Sequence, residues 1–147
     1  MSYTERFTED HYPLAVYNAD SLGVGTFNSP YVTLQEYHRA ILVVNLGDMG
    51  QAATFDAGIQ QATTVAGGGV KVIAGKAITQ LTQAGGDGDQ LVAIELQTEE
   101  LDVDGRFAFV RFYLTVGGSA CEVSAILYGI ISRHKAVPVT NWAEVIG

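Results

Sequence analysis

From about residue 31 onward, apolar and polar positions alternate at period two in short runs separated by glycine-rich breaks. The cleanest run is 91–98, where Val92, Ile94 and Leu96 face one way and Ala93, Glu95 and Gln97 the other. Strict alternation of this kind marks a half-buried strand, because successive side chains point to opposite faces. A second run, 54–62, puts Phe55, Ala57 and Ile59 on one side. The segment 31–46 ends in Ala40-Ile41-Leu42-Val43-Val44-Asn45-Leu46, rich in β-branched residues, and is closed by Gly47-Asp48-Met49-Gly50. The segment 70–82 is broken by Gly75 and reads as two short strands or one strand with a bulge. Residues 107–116 carry large side chains on both faces with Arg111 the one charge among them, which suits a central strand or an outer face covered by a partner. A last long strand runs over 121–132. Gly67-Gly68-Gly69 and Gly117-Gly118-Ser119 read as hairpin turns.

Regular strand spacing, glycine-rich turns and no sustained helical period predict a mainly β fold, a single-domain antiparallel β-sandwich of jelly-roll-like type. Uneven strand lengths favour a sandwich over a barrel. A helical turn or two is allowed at 34–39 and at 142–146. The alternation predicts an inward face made by Val92, Ile94, Leu96, Val110, Phe112 and Leu114.

Residues 1–30 show neither period. They carry Tyr3, Phe7, Tyr12, Tyr17 and Phe27 among polar residues, with Pro13 and Pro30. Aromatics on an irregular segment predict an extended N-terminal arm, and these five are the candidate interface residues. The arm has two possible beds, its own domain or a neighbouring subunit. Residues 31–147 then form the sandwich domain, with a short C-terminal tail around Pro138 and Trp142.

Composition sharpens this. Of 147 residues, 48% are hydrophobic and 16% charged, against roughly 25% charged in an average soluble protein. Few charges are left to cover a monomer's surface, so part of it is expected to be buried against other chains. The net charge of −8, with eight Lys and Arg in all, argues against nucleic-acid binding. No apolar stretch approaches the roughly 20 residues of a membrane helix. Cys121, the lone cysteine, falls in an alternating segment and reads as a buried, inert thiol.

Candidate chemistry is thin. Seven acidic residues between Asp87 and Asp104, including Asp89, Asp102 and Glu100, read as a solvated rim; the spacing of an EF-hand calcium loop is not present. His11, His38 and His134 have no ligand-spaced partner. The glycine triplet lacks the Gly-Lys-Ser/Thr ending of a phosphate loop. The reading is of no catalytic residue, no metal site and no cofactor.

Several segments together resemble tailed-bacteriophage auxiliary capsid proteins, the cement or decoration proteins. They include Tyr37-His38-Arg39-Ala40-Ile41, Ala53-Thr54-Phe55-Asp56-Ala57, Ile73-Ala74-Gly75-Lys76-Ala77 and Phe109-Val110-Arg111-Phe112. The likeness spans roughly residues 31–140. It implies a virion structural protein that binds the outer surface of a capsid, with the major capsid protein as partner. It further implies a homo-oligomer, and assembly in the host cytoplasm. The composition equally fits a tail-tube or head-completion subunit. A different class, a carbohydrate-binding β-sandwich, would use Tyr113, Tyr128 or Trp142 as its platform.

Overall fold

A computed structural model describes residues 6–132. Tyr3, His134, Trp142 and the C-terminal tail therefore lie outside the described residues. The elements are a one-turn helix α1 (Phe7–Asp10), then β1 (His11–Leu22), β2 (Gly25–Asn28), β3 (Val32–Thr33), β4 (Tyr37–Met49) and β5 (Thr54–Ala62). After them come β6 (Lys71–Ala77), β7 (Leu81–Thr82), β8 (Gln90–Gln97), β9 (Phe109–Gly117) and β10 (Cys121–Ser132).

The strands form two antiparallel sheets. The first has the order β1-β10-β4-β8 and the second β2-β9-β5-β6, with β3 also on β9 and β7 also on β5. β2 and β3 follow one another along β9, and β6 and β7 along β5. Each pair is thus one interrupted strand, which makes four strands per sheet. Pro30 lies in the first interruption, where a missing N–H is harmless because the backbone bonds β9 from Ser29 instead, at 2.9 Å to Phe112 O. Of the connections between these strands only β5 to β6 stays within one sheet; the others cross over. Two four-stranded sheets wound together this way are a jelly roll.

That winding changes one expectation. The turn at 67–69 is a hairpin, but the one at 117–119 carries the chain from β9 in one sheet to β10 in the other. Gly118 takes φ +75°, and a Cβ there would collide with the Ala52 carbonyl oxygen of the neighbouring crossing. Position 118 needs glycine because two crossovers pass side by side.

The core lies between the sheets and is made by alternate residues of the central strands. Leu42, Val44 and Leu46 of β4, Phe55, Ala57 and Ile59 of β5, and Leu127 of β10 are at most 1% exposed. Val110, Phe112, Leu114, Ile94 and Leu96 are buried as the alternation requires, with Val92 packed partly against them. Ser29 and Gln61, buried and polar, are hydrogen-bonded, whereas the buried Tyr31 hydroxyl has no hydrogen-bond partner among the described residues. Ser29 Oγ accepts the Phe112 N–H at 3.0 Å, and Gln61 Oε1 accepts the Asp102 N–H at 2.8 Å. Gly75, at φ +75°, sits in a register shift between β5 and β6, so 71–82 holds both a bulge and a break.

The largest departure is at the N-terminus. Residues 11–22 are not an arm but β1, an edge strand paired with β10 from His11↔Ile130 to Leu22↔Cys121. One extra residue is inserted between Pro13 and Ala15 and another between Tyr17 and Asp20. Each bulge reverses the inward parity, so Tyr12, Ala15 and Tyr17 face the core at uneven spacing, and no period two survives in the sequence. β2 then joins the other sheet, so removing residues 1–28 would strip one edge strand from each sheet. Residues 34–36 are a turn into β4; the helical turn lies at Phe7–Asp10 instead.

Phe112→Ala removes a ring of 0% exposure from the middle of the core. The expected cost is about 3–5 kcal/mol, read as a lowered midpoint in urea unfolding; an unchanged midpoint would contradict this packing.

Candidate binding face

The five aromatics proposed as an interface part company in the fold. Tyr12 is 5% exposed and packs on Tyr37, ring centroids 5.9 Å apart. Tyr17 meets Phe27 at 4.7 Å, and Phe27 meets Phe112 at 5.9 Å. These three belong to this chain's own core and its margin, closing the β1–β2 side of the sandwich. Tyr3 lies outside the described residues. Phe7 alone is displayed outward, 57% exposed.

The display of Phe7 is built by local bonds. Its ring stacks on His11 with centroids 4.0 Å apart and planes 7° from parallel, and Tyr128 meets the pair edge-on. His11 Nδ1 lies 3.1 Å from the Phe7 carbonyl, Tyr12 Oη donates to the Glu9 carbonyl at 2.7 Å, and Arg6 N–H donates to Glu9 Oε2 at 2.8 Å.

This cluster opens onto the outer face of the first sheet. The register sets side chains in rows across its strands: Val16, Ile126, Val43 and Ala93 in one, Pro13, Tyr128, Ile41 and Glu95 in the next. Leu42, Val44, Ala125 and Leu127 point into the core, so Ile41, Val43, Ile126 and Tyr128 must point out. They are half-buried, while Val16 is 45% exposed. Polar clefts border the rows at both ends. One, of about 420 Å³, is lined by Asp10, His11, Arg39, Glu95 and Gln97 among others. The other, of about 400 Å³, includes Asp20, Ser21, Asn45 and Glu122. An apolar centre with a polar rim is the usual anatomy of a protein-binding face.

Period-two alternation does not mark these aliphatics, but the sequence carries another signal for them. Ala40-Ile41-Leu42-Val43-Val44 and 125–131 are apolar on both parities. The same two-faced pattern in β9 has another cause, since its outer side chains are covered by their own chain. The Arg111 guanidinium lies 4.8 Å from the Tyr31 ring centre and its Nε donates to Gln60 Oε1 at 2.9 Å; Tyr113 lies across Gly58, where a Cβ would strike its ring. Tyr113 is thereby a poor sugar platform.

The acidic residues of 87–104 are spread among separate partners. Asp87 accepts the Thr82 N–H at 2.9 Å. Asp102 meets Lys71 and accepts the Gly105 N–H. Among the described residues no group of three His, Cys, Asp or Glu could hold a metal ion, and no helix is long and apolar enough to cross a membrane. The hydrogen bond from Lys71, then that from Gly105, holds the Asp102 carboxyl below its ordinary value. Glu100 is held low by the Gln97 N–H and then by Lys76. Burial pushes the Cys121 thiol up, against a smaller opposing effect from Gly50.

Three outcomes follow. Phe27→Ala should lower stability by about 2 kcal/mol or more, and Phe7→Ala by less than about 1 kcal/mol, both by denaturant unfolding; the reverse order would restore the arm. Cys121, 0% exposed with its thiol pushed up, should resist a disulfide reagent at pH 8 in the native protein and react once unfolded. Carboxylates depressed on folding stabilise above their unfolded values and lose that contribution as pH falls through the folded ones. The Asp102 share should therefore vanish only below the ordinary carboxylate range, and Lys71→Met should flatten that acid limb of a melting-temperature profile.

No family model matches the sequence, and no curated protein matches it. Among solved structures, that of infectious bursal disease virus, Gt strain, aligns with 84% of this chain at 9% identity and a TM-score of 0.28; the aligned part is 40% of that chain.

Proposed function

We propose that this protein is a virion structural subunit that docks on the outside of a tailed-phage capsid and strengthens the shell, with the major capsid protein as partner. The observation that carries the reading is the apolar outer face of the first sheet, with Val16, Ile126 and Val43 in one row across its strands, Ile41 in the next, and polar clefts at both ends. A jelly roll needs only one apolar face per sheet, so a second is surplus to folding and suits a partner. The resemblance of residues 31–140 to auxiliary capsid proteins supplies the kind of partner. Many copies on a repeating surface multiply a modest contact, so the face has no need of great area.

The test uses purified capsids that lack this protein. The intact chain should coat them. Val16→Glu with Ile126→Glu places charges in the middle of the face and should weaken coating by tenfold or more, since each aliphatic contributes about 1.5–3 kcal/mol when buried. The far-ultraviolet spectrum should stay that of the parent. Full coating by the double variant would clear this face of the role. Failure of the intact chain to bind any such capsid, with capture on a glycan array instead, would replace the virion reading with the carbohydrate-binding one.

A further inference from the structure

β8 is an edge strand, paired with β4 on one side only. An edge exposes a row of backbone donors and acceptors that invites another strand. In an antiparallel ladder these groups alternate, one residue bonding inward to its partner and the next outward. Two contacts identify the outward set. Gln97 N–H donates to Glu100 Oε2 at 2.8 Å, and the Glu95 carbonyl accepts from Lys76 Nζ at 2.8 Å. The odd-numbered residues of β8 thus offer their backbone to the outside, Ala93 and Leu91 included.

Glu100 and Lys76 are themselves an ion pair, Nζ to Oε1 at 2.9 Å. The carboxylate takes the place of a carbonyl opposite Gln97, and the ammonium takes the place of an N–H opposite Glu95. The pair imitates the end of a neighbouring strand. Its two halves come from different elements. Glu100 is set by the short 3₁₀ turn Thr98–Glu100 that ends β8, and Lys76 follows the Gly75 bulge of β6 in the other sheet.

We propose that the Lys76–Glu100 pair is a strand-mimicking guard, and that the edge beneath it is a latent pairing site for β8 of a second copy. The sequence of β8 is self-complementary for antiparallel addition. A two-fold axis at Ala93 sets Ala93 against Ala93 of the second copy and Leu91 against Glu95 of the second copy. No like charges meet, and no proline interrupts the run Gln90–Gln97. Leu91, 74% exposed in the single chain, gains a neighbour. The outer apolar row ending Val43, Ala93 would continue across the axis into one eight-stranded sheet. With the guard in place, Lys76 and Glu100 occupy the ends where Gln97 and Glu95 would bond the incoming strand.

Lys76→Met with Glu100→Met removes both the donor and the acceptor of the guard while keeping side-chain length. The mass in solution, by sedimentation equilibrium, should double relative to the parent chain at neutral pH. Adding Ala93→Lys to that variant faces two lysines across the axis and should return the mass to the parent value. A folded double variant that keeps the parent mass at every concentration overturns the proposal, and so does a doubled mass that survives Ala93→Lys. Should the double variant fail to fold, Lys76→Met alone carries the same test. The readout is free-solution mass, so it stands or falls apart from capsid binding.

Discussion

The burial of alternate residues on the four central strands, β4, β10, β5 and β9, is the constraint on which everything else rests. Phe55 and Phe112 are wholly buried between the sheets, with Leu42, Leu127 and Leu114 around them. Face-to-face sheets leave a core about 10 Å thick, which one layer of such side chains from each side fills. Because the chain crosses between the sheets at nearly every connection, each central strand has at least one neighbour distant in sequence. The core and the ladders therefore form together, and local structure alone cannot stand in for either.

Closing this sandwich at its two open sides takes different chemistry. On the β1–β2 side the closure is aromatic, Tyr17 on Phe27 on Phe112. On the β6–β8 side it is ionic, with Lys76 reaching from one sheet to a backbone carbonyl of the other and to Glu100. The aromatic side adds apolar burial to the core. The ionic side is exposed enough to contribute little stability by itself, and its value lies in occupying backbone groups that another strand would use.

The two outer faces diverge in the same way. The outer face of the second sheet is consumed internally by Tyr31, Arg111, Gln60 and Tyr113. That of the first sheet keeps aliphatic side chains in rows, half-buried at Ile41, Val43 and Ile126 and 45% exposed at Val16. The binding role proposed above is assigned to the face that keeps these aliphatics.

Much of this was determined by the sequence alone. The spans of β5 and β8 and the inward residues Ile94, Leu96, Val110, Phe112 and Leu114 follow from period-two alternation, which is a local property of a strand. Tertiary structure decided what depends on non-local pairing. Two bulges scramble the parity of β1, so Tyr12, Ala15 and Tyr17 looked patternless until β10 was beside them. The turn at 117–119 looks like a hairpin because glycines mark a reversal without saying which sheet receives the next strand. Residues 40–44 and 125–131 are apolar on both parities, and only the packing of β4 and β10 side by side shows which half becomes core and which remains an open face. Lys76 and Glu100 lie 24 positions apart, and nothing local to either foretells that they meet over the edge of β8, because that meeting is made by the contact of two sheets.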